Sequence, residues 1–549
     1  MSKSIPRTPA CVAGVALSLL VAPALAANPG FVKPPPQTFT LDAMAPLAQA
    51  AQMPVSFRGQ VAPAWTASSD SPWVVLVDGA GTGAATLHYT VDASLQASAL
   101  NWATDRAHIT LHSDGLADLV VMVSLARKLP DVYMVAPAIV PSGQPAHVHV
   151  YGRGLGQLAS GASIQVDGAA VTAVQPISDT EVSVDLAPVA TGDHAYSVTH
   201  ASDIGSMQAL QVAVDAAQTP TTAFVADTGM KGSLVVDERR QAVFTVDAMD
   251  GSLVRYTRSG SEWTRKASSG VTTTGSLGLS PDGSTLYAVD SDRKTLLAVD
   301  PDKLKIKSRF LLPQKKGGTL AMPMQQLRLP FTNDGRLWFA GGYWASPTAF
   351  DLSSGDFVKP VVDFLSMPVP FATPSGSRLY LVQWGISPEP PVNVYAISRG
   401  AVNPLPQQSP DISLPVSFSA SGSLMLNDQL RFYDRQGNAL GTLSGGNEFL
   451  PVLSPDGKRA YKVGQGSGNS GCIDHIDVFN ATKATGPTVV LTPMGTIPVA
   501  HPAVSCTSND AWTSTMAIDG LGQTLYWVGY DGFSVVAIPD NLRPAAGQP

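Results

Sequence analysis

Two short stretches hold the residue types with the most chemical capacity in this 549-residue chain. One is Cys472-Ile473-Asp474-His475 and the other is His501-Pro502-Ala503-Val504-Ser505-Cys506. Thiolates and imidazoles at Cys-x2-His and His-x4-Cys spacing could supply the four ligands of a tetrahedral zinc site. The same two thiols could instead close a disulfide, which leaves His475 and His501 as bystanders or ligand contacts. His147 and His149 sit two apart on a predicted strand and so share one face. Two imidazoles so placed could take a metal. Alternating with Val148 and Val150, they read first as the solvated side of a half-buried strand.

A second chemistry is recognition. Tyr343 and Trp344 lie in Gly341 to Pro347, Trp384 lies in Gln383 to Pro391, and Lys315 and Lys316 lie in Leu312 to Gln326. All three are long segments between predicted strands. Exposed Tyr and Trp suit stacking on sugar rings or anchoring a protein partner, and packing the base of a loop is the plainer role for either Trp. Hydrolase signatures are missing: there is no G-x-S-x-G elbow, no H-E-x-x-H and no Walker A. Residues 222–542 contain His475 and His501 and no other histidine, so Ser/His/Asp catalysis would need one of them. Gly152-Arg153-Gly154-Leu155-Gly156 lacks the third glycine of a dinucleotide fingerprint and reads as a turn, as does Gly79 to Gly83. No catalytic residue is assigned and no cofactor is implied.

The elements that must position these residues recur from about Ala223 to Leu542. An apolar run, a Ser/Asp/Gly turn and a Leu-Tyr-type strand are followed by a second turn and strand. The clearest copies are Leu279-Ser280-Pro281-Asp282-Gly283 with Leu286-Tyr287, and Leu453-Ser454-Pro455-Asp456-Gly457 with Ala460-Tyr461. Five further copies begin near Leu234, Asn333, Pro374, Ser421 and Gly520. Spacing on the order of 40–50 residues is that of a four-stranded blade. Glycine after Asp or Ser suits tight hairpins, because it takes positive φ without a steric cost. Copies two and six resemble the YVTN-type seven-bladed bacterial propellers, and the resemblance covers 222–542. It implies that Cys472 and Cys506, on connections at one rim of the ring, lie close together.

Lys3 and Arg7, an apolar run from Val12 to Val21, and Ala24-Leu25-Ala26 read as a secretory signal, residues 1–26, with cleavage before Ala27. No later run is apolar for about 18 residues, so no membrane span is expected after cleavage. Export favours Cys472–Cys506 as a disulfide, with the zinc set Cys472, His475, His501 and Cys506 as the alternative. The formal net charge is −7 and no basic stripe stands out, which excludes nucleic acid as a partner. Charged residues make up 14% of the chain, well under the usual ~25%, and long helical periodicity is missing; both fit an exported all-β protein.

Residues 27–54 read as a Pro/Ala-rich linker with a short helix over Leu41 to Gln52. Residues 55–130 carry alternating strands around Trp65 and Trp73. With Ser71-Pro72-Trp73 and Gly79 to Gly83, they resemble the BACON family of immunoglobulin-like domains. Residues 131–216, with Ala136-Pro137, Gly152-Arg153-Gly154 and Ile164 to Gly168, closely resemble the TIG (IPT) immunoglobulin-like fold. Residues 543–549 form a tail.

The expected architecture is all-β: two immunoglobulin-like sandwiches followed by a seven-bladed propeller. The expected function is binding of a glycan or a protein at the cell envelope by a monomer, through the looped rim. The alternative is a metal-dependent hydrolase or lyase working in the channel.

Overall fold

The computed structural model describes residues 29–543 apart from 42–45, 60–61, 96–103, 128, 161–162, 180, 200–208, 215–220, 230, 248, 269–270, 272–275, 291–293, 314–327, 340–346, 353–354, 359–367, 384–391, 399–400, 407–414, 446–450, 466–472, 500–514 and 530–531. The described residues are strands, turns and four short 3-10 segments, with no α-helix among them. The chain divides into two compact units, one made from 1–38, 48–92 and 106–124, the other chiefly from 125–549.

The first unit contains a five-stranded and a three-stranded sheet. Trp65, Trp73, Leu87, Tyr89 and Ile109 are buried in it. Part of the expected linker is sheet. Gln37–Leu41 pairs into the larger sheet, and the predicted helix is replaced by the strand Ala48–Val55, which pairs along its whole length with Ala85–Asp92. Alanine favours helix in isolation, but a partner ladder that buries Met53 and Val55 outweighs the few tenths of a kcal/mol per residue that propensity offers.

In the second unit, two four-stranded sheets from 131–214 enclose a core that includes Val148, Val150, Val182, Val184, Tyr196 and Val198. Seven further antiparallel sheets follow, four using consecutive strands over 231–267, 277–311, 331–358 and 368–404. The fifth, 415–443, gains Val490–Leu491 as an added parallel strand, and the sixth spans 452–498. The seventh joins Thr515–Ile518, Thr524–Gly529 and Gly532–Ala537 to Ala223–Ala226, a strand from ahead of the first sheet.

Each sheet packs on the next. One cluster joins Phe244 and Val246 of the first sheet to Leu286 and Leu297 of the second. Equivalent clusters join two to three, three to four, four to five, five to six and six to seven. A last cluster sets Val243 and Tyr256 of the first sheet against Val528 and Phe533 of the seventh. This explains the sequence of the middle strands. Ala242–Asp247 is buried at every position because odd and even side chains enter different clusters.

The first strand of each sheet lies inward: Lys231–Asp237 touches Leu277–Leu279 and Thr515–Ile518, and Val452–Leu453 touches Pro415–Phe418 and Thr515–Ile518. The fourth strands face out, as the exposed positions of Glu262–Ala267 and Lys305–Leu311 show. A common axis therefore runs past the first strands.

Candidate functional site: two ends and an axis

The strands run so that every hairpin joining first to second, or third to fourth, falls at one end of the array. The connections between sheets, and those joining second to third strands, fall at the other.

The hairpin end is closed by its own side chains. Ser280 Oγ donates to Asp282 at 2.5 Å, Thr332 Oγ1 to Asp334 at 2.5 Å and Ser454 Oγ to Asp456 at 2.6 Å. Gly283, Gly335 and Gly457 follow, each with φ of 65–76°. The repeated Ser-Pro-Asp-Gly is thus a turn clip, and these carboxylates are structural. Neighbouring clips also interlock. Asn333 N–H donates to Gly376 O at 2.9 Å, Ala420 N–H to Pro455 O at 2.7 Å and Arg240 Nη1 to Gly283 O at 2.7 Å.

Between the seventh and first sheets the clasp is a carboxyl group: Gly520 N–H donates to Glu238. The second Glu238 oxygen is buried without a partner. Burial first, then the charge of nearby Asp519, pushes this carboxyl up to about 8, with Asp237 adding a smaller push. Burial raises Asp519 as well. The sandwich of 131–214 meets the array here. Arg239 Nε donates to Asp193 at 2.6 Å, and a Cβ on Gly520 would sit 3.0 Å from the Ile139 side chain. Arg435, in a hairpin of the fifth sheet, lies close enough to Tyr151 to favour its phenolate.

Lys315, Lys316, Tyr343, Trp344, Trp384, Cys472, His501 and Cys506 all lie outside the described residues. The strands flanking them put residue 472 between the second and third strands of the sixth sheet, and residue 506 between that sheet and the seventh. His475 is described. Its Nδ1 faces Asp474 and its Nε2 lies 3.3 Å from Asp477. The ring lies over Gly464, where any Cβ would strike it. Among the described residues no group of three or more His, Cys, Asp or Glu is placed to hold a metal ion.

His147 and His149 do share a face, with ring centroids 5.4 Å apart. Each is held across the sheet by an acid, His147 by Asp185 at 2.6 Å and His149 by Glu181 at 2.9 Å. These are cross-strand pairs that hold the sheet together.

Sequence reasoning missed Arg328. It forms a lone parallel bridge to Leu277, and Leu329 N–H donates to Leu277 O at 2.7 Å. The other edge of Leu277–Leu279 is taken by Leu286–Asp290, so residues 328–329 lie on its axial edge. Gly278 makes the approach possible, since a Cβ there would meet Leu329 O at 2.8 Å. Leu329 enters the cluster between the second and third sheets, and its extended neighbour Arg328 points away from it. Arg328 is exposed, and partial loss of hydration lowers its pKa. Among the described residues it has no hydrogen-bond or ion-pair partner, and no neighbouring charge contributes to that shift. The only hint in sequence is a cation set between Leu327 and Leu329 just ahead of a strand.

The IPT/TIG domain model matches residues 130–214, the span of the two-sheet sandwich in the second unit. No curated protein matches the chain. Similar solved structures include Kuenenia stuttgartiensis hydrazine synthase, 12% identical over 59% of this chain and 99% of that one, TM-score 0.40. Another is the Myceliophteria thermophila Cps50 (Swd1) β-propeller domain, 11% identical over 58% and 100%, TM-score 0.37. A third is a Bacteroides thetaiotaomicron protein of unknown function, 13% identical over 74% and 98%, TM-score 0.31. Likeness at that level says nothing of activity. The sheets themselves, packed in sequence around an axis, make the array a β-propeller with an immunoglobulin-like IPT/TIG domain ahead of it.

Proposed function

We propose that this is an exported binding protein of the cell envelope, whose seven sheets close as seven blades and whose connection end grips a glycan or a protein. The contrast between the two ends carries the reading. Hairpins at one end are clipped, interlocked and met by the IPT/TIG domain at Arg239–Asp193 and Gly520. Tyr343, Trp344 and Trp384 lie outside the described residues, in segments whose flanking strands end at the other end, and they are residue types that dominate binding hot spots. Seven inter-sheet clusters, the last returning to the first sheet, support the blade count. The BACON-like first unit serves as a spacer, and Cys472–Cys506 ties two connections at the gripping end.

The test is binding of the mature full-length protein to a glycan array and to envelope extracts, repeated with Trp344→Ala/Trp384→Ala. Loss of about thirtyfold or more in affinity is expected, as for a paired aromatic hot spot. Unchanged binding by the double variant would move the site away from this end. Intact mass without reductant checks the disulfide: the oxidised chain is lighter by two hydrogens, whereas free thiols with bound zinc would reinstate the four-ligand set.

A further inference from the structure

We propose that Arg328 anchors an oxyanion site on the propeller axis, taking a carboxylate or phosphate group of a ligand that enters from the connection end. Three observations meet there. Arg328 sits on the axial edge of Leu277–Leu279, inside the innermost strand. Its backbone is held by the Leu329–Leu277 hydrogen bond over Gly278, and Leu329 is fixed in the cluster between the second and third sheets. The guanidinium has no partner among the described residues, although the chain is acidic overall and could have supplied one.

Arg328 is exposed, so leaving it without a carboxylate costs the fold little and keeps the side chain available to an anion. Arg240, Arg265 and Arg336 pair with carboxylates, and Arg255, Arg378 and Arg459 donate to backbone or amide oxygens. On the axial edge, Arg328 has neither kind of partner among the described residues. A planar fork of five donors matches the two oxygens of a carboxylate or the face of a phosphate, and partial loss of hydration strengthens that pairing. Access is open, because the side chain remains solvent-accessible. The inference stands whether the rim grips a glycan or a protein, since it uses none of the rim aromatics.

The test uses the mature full-length protein, titrated calorimetrically with inorganic phosphate and with glucuronate at constant low ionic strength, with glucose as the neutral control. Wild-type protein is expected to bind phosphate, glucuronate or both saturably, and glucose not at all. Which of the two binds identifies the anion class. Arg328→Gln is expected to weaken binding about tenfold or more, as loss of a charge-assisted pair does. Arg328→Lys is expected to fall between the two. Unliganded Arg328→Gln should melt no lower than wild type, because the side chain is exposed and has no partner among the described residues. A merely structural arginine would instead leave the variant less stable. No saturable binding of either anion to wild type, equal binding by Arg328→Gln, or a clearly lower melting temperature of that variant would each overturn the site.

Discussion

The hairpin end and the connection end of the propeller are built from the same seven sheets, yet they handle polar groups in opposite ways. At the hairpin end, side-chain oxygens bond one another and the backbone of their own turn, as Ser454, Asp456 and Thr332 show. Along the axis toward the other end, the backbone beside Arg328 is held in place and its side chain has no partner among the described residues. The difference teaches that sequence repetition marks the end whose turns interlock, while irregular sequence marks the end that we propose binds. If the contrast is right, substitutions at the first end cost stability and spare binding, and those at the second do the reverse.

The largest effect is expected at Gly376. Its φ is 63°, and a Cβ would lie 2.5 Å from Asn333 N, a backbone atom of the neighbouring sheet that cannot move aside alone. Gly376→Ala should destabilise by about 3 kcal/mol or more, read as a fall in the urea midpoint, with ligand affinity kept. A cost under about 1 kcal/mol would mean the hairpins do not interlock.

Glu238 provides a pH test. Its carboxyl is raised to about 8 when folded, from an ordinary value of 4.5. Between those values the folded chain holds a proton that the unfolded chain has lost, so stability falls as pH rises through that window. The melting temperature is expected to drop from pH 5 to pH 9, by the equivalent of a few kcal/mol at most, and Glu238→Gln should flatten the slope. Equal slopes in both proteins would show that this clasp is open.

Ser454→Ala removes one clip and leaves Asp456 with only the Lys458 N–H and the Lys458 ion pair; a loss of about 1 kcal/mol is expected in chemical denaturation. Smallest is the stability effect of Trp344→Ala/Trp384→Ala, expected within about 0.5 kcal/mol despite the loss of binding. A large destabilisation would make those rings packing residues and erase the distinction between the ends.

Much of the propeller was legible because its signals are local. Leu286-Tyr287 and Ala460-Tyr461 alternate between two clusters, and each Asp-Gly places a positive φ where a hairpin needs it. What was hidden depends on distant partners. Ala223–Ala226 has no strand signal of its own beyond four short residues, and it becomes a strand because Gly532–Ala537 offers an open edge. The Ala-rich Leu41 to Gln52 reads as helix until Ala85–Asp92 lies beside Ala48–Val55. Glu238 follows Asp237 and precedes two arginines, so in sequence it is one charge of a solvated turn; only the approach of Gly520 from 282 residues away buries it. Arg328 carries no motif, and what sets it apart is its place on the axial edge of Leu277–Leu279.

The borrowed strand has a mechanical consequence. Ala223 pairs with Val535 and Ala226 with Gly532, so the strand enters at the hairpin end and runs toward the connection end. When a partner holds the connection end and the domains before residue 223 are tugged away, tension passes along the axis of that strand. Its ladder to Gly532–Ala537 is then loaded in shear, with every hydrogen bond sharing the force at once, and the joint behaves as a latch that resists peeling open bond by bond.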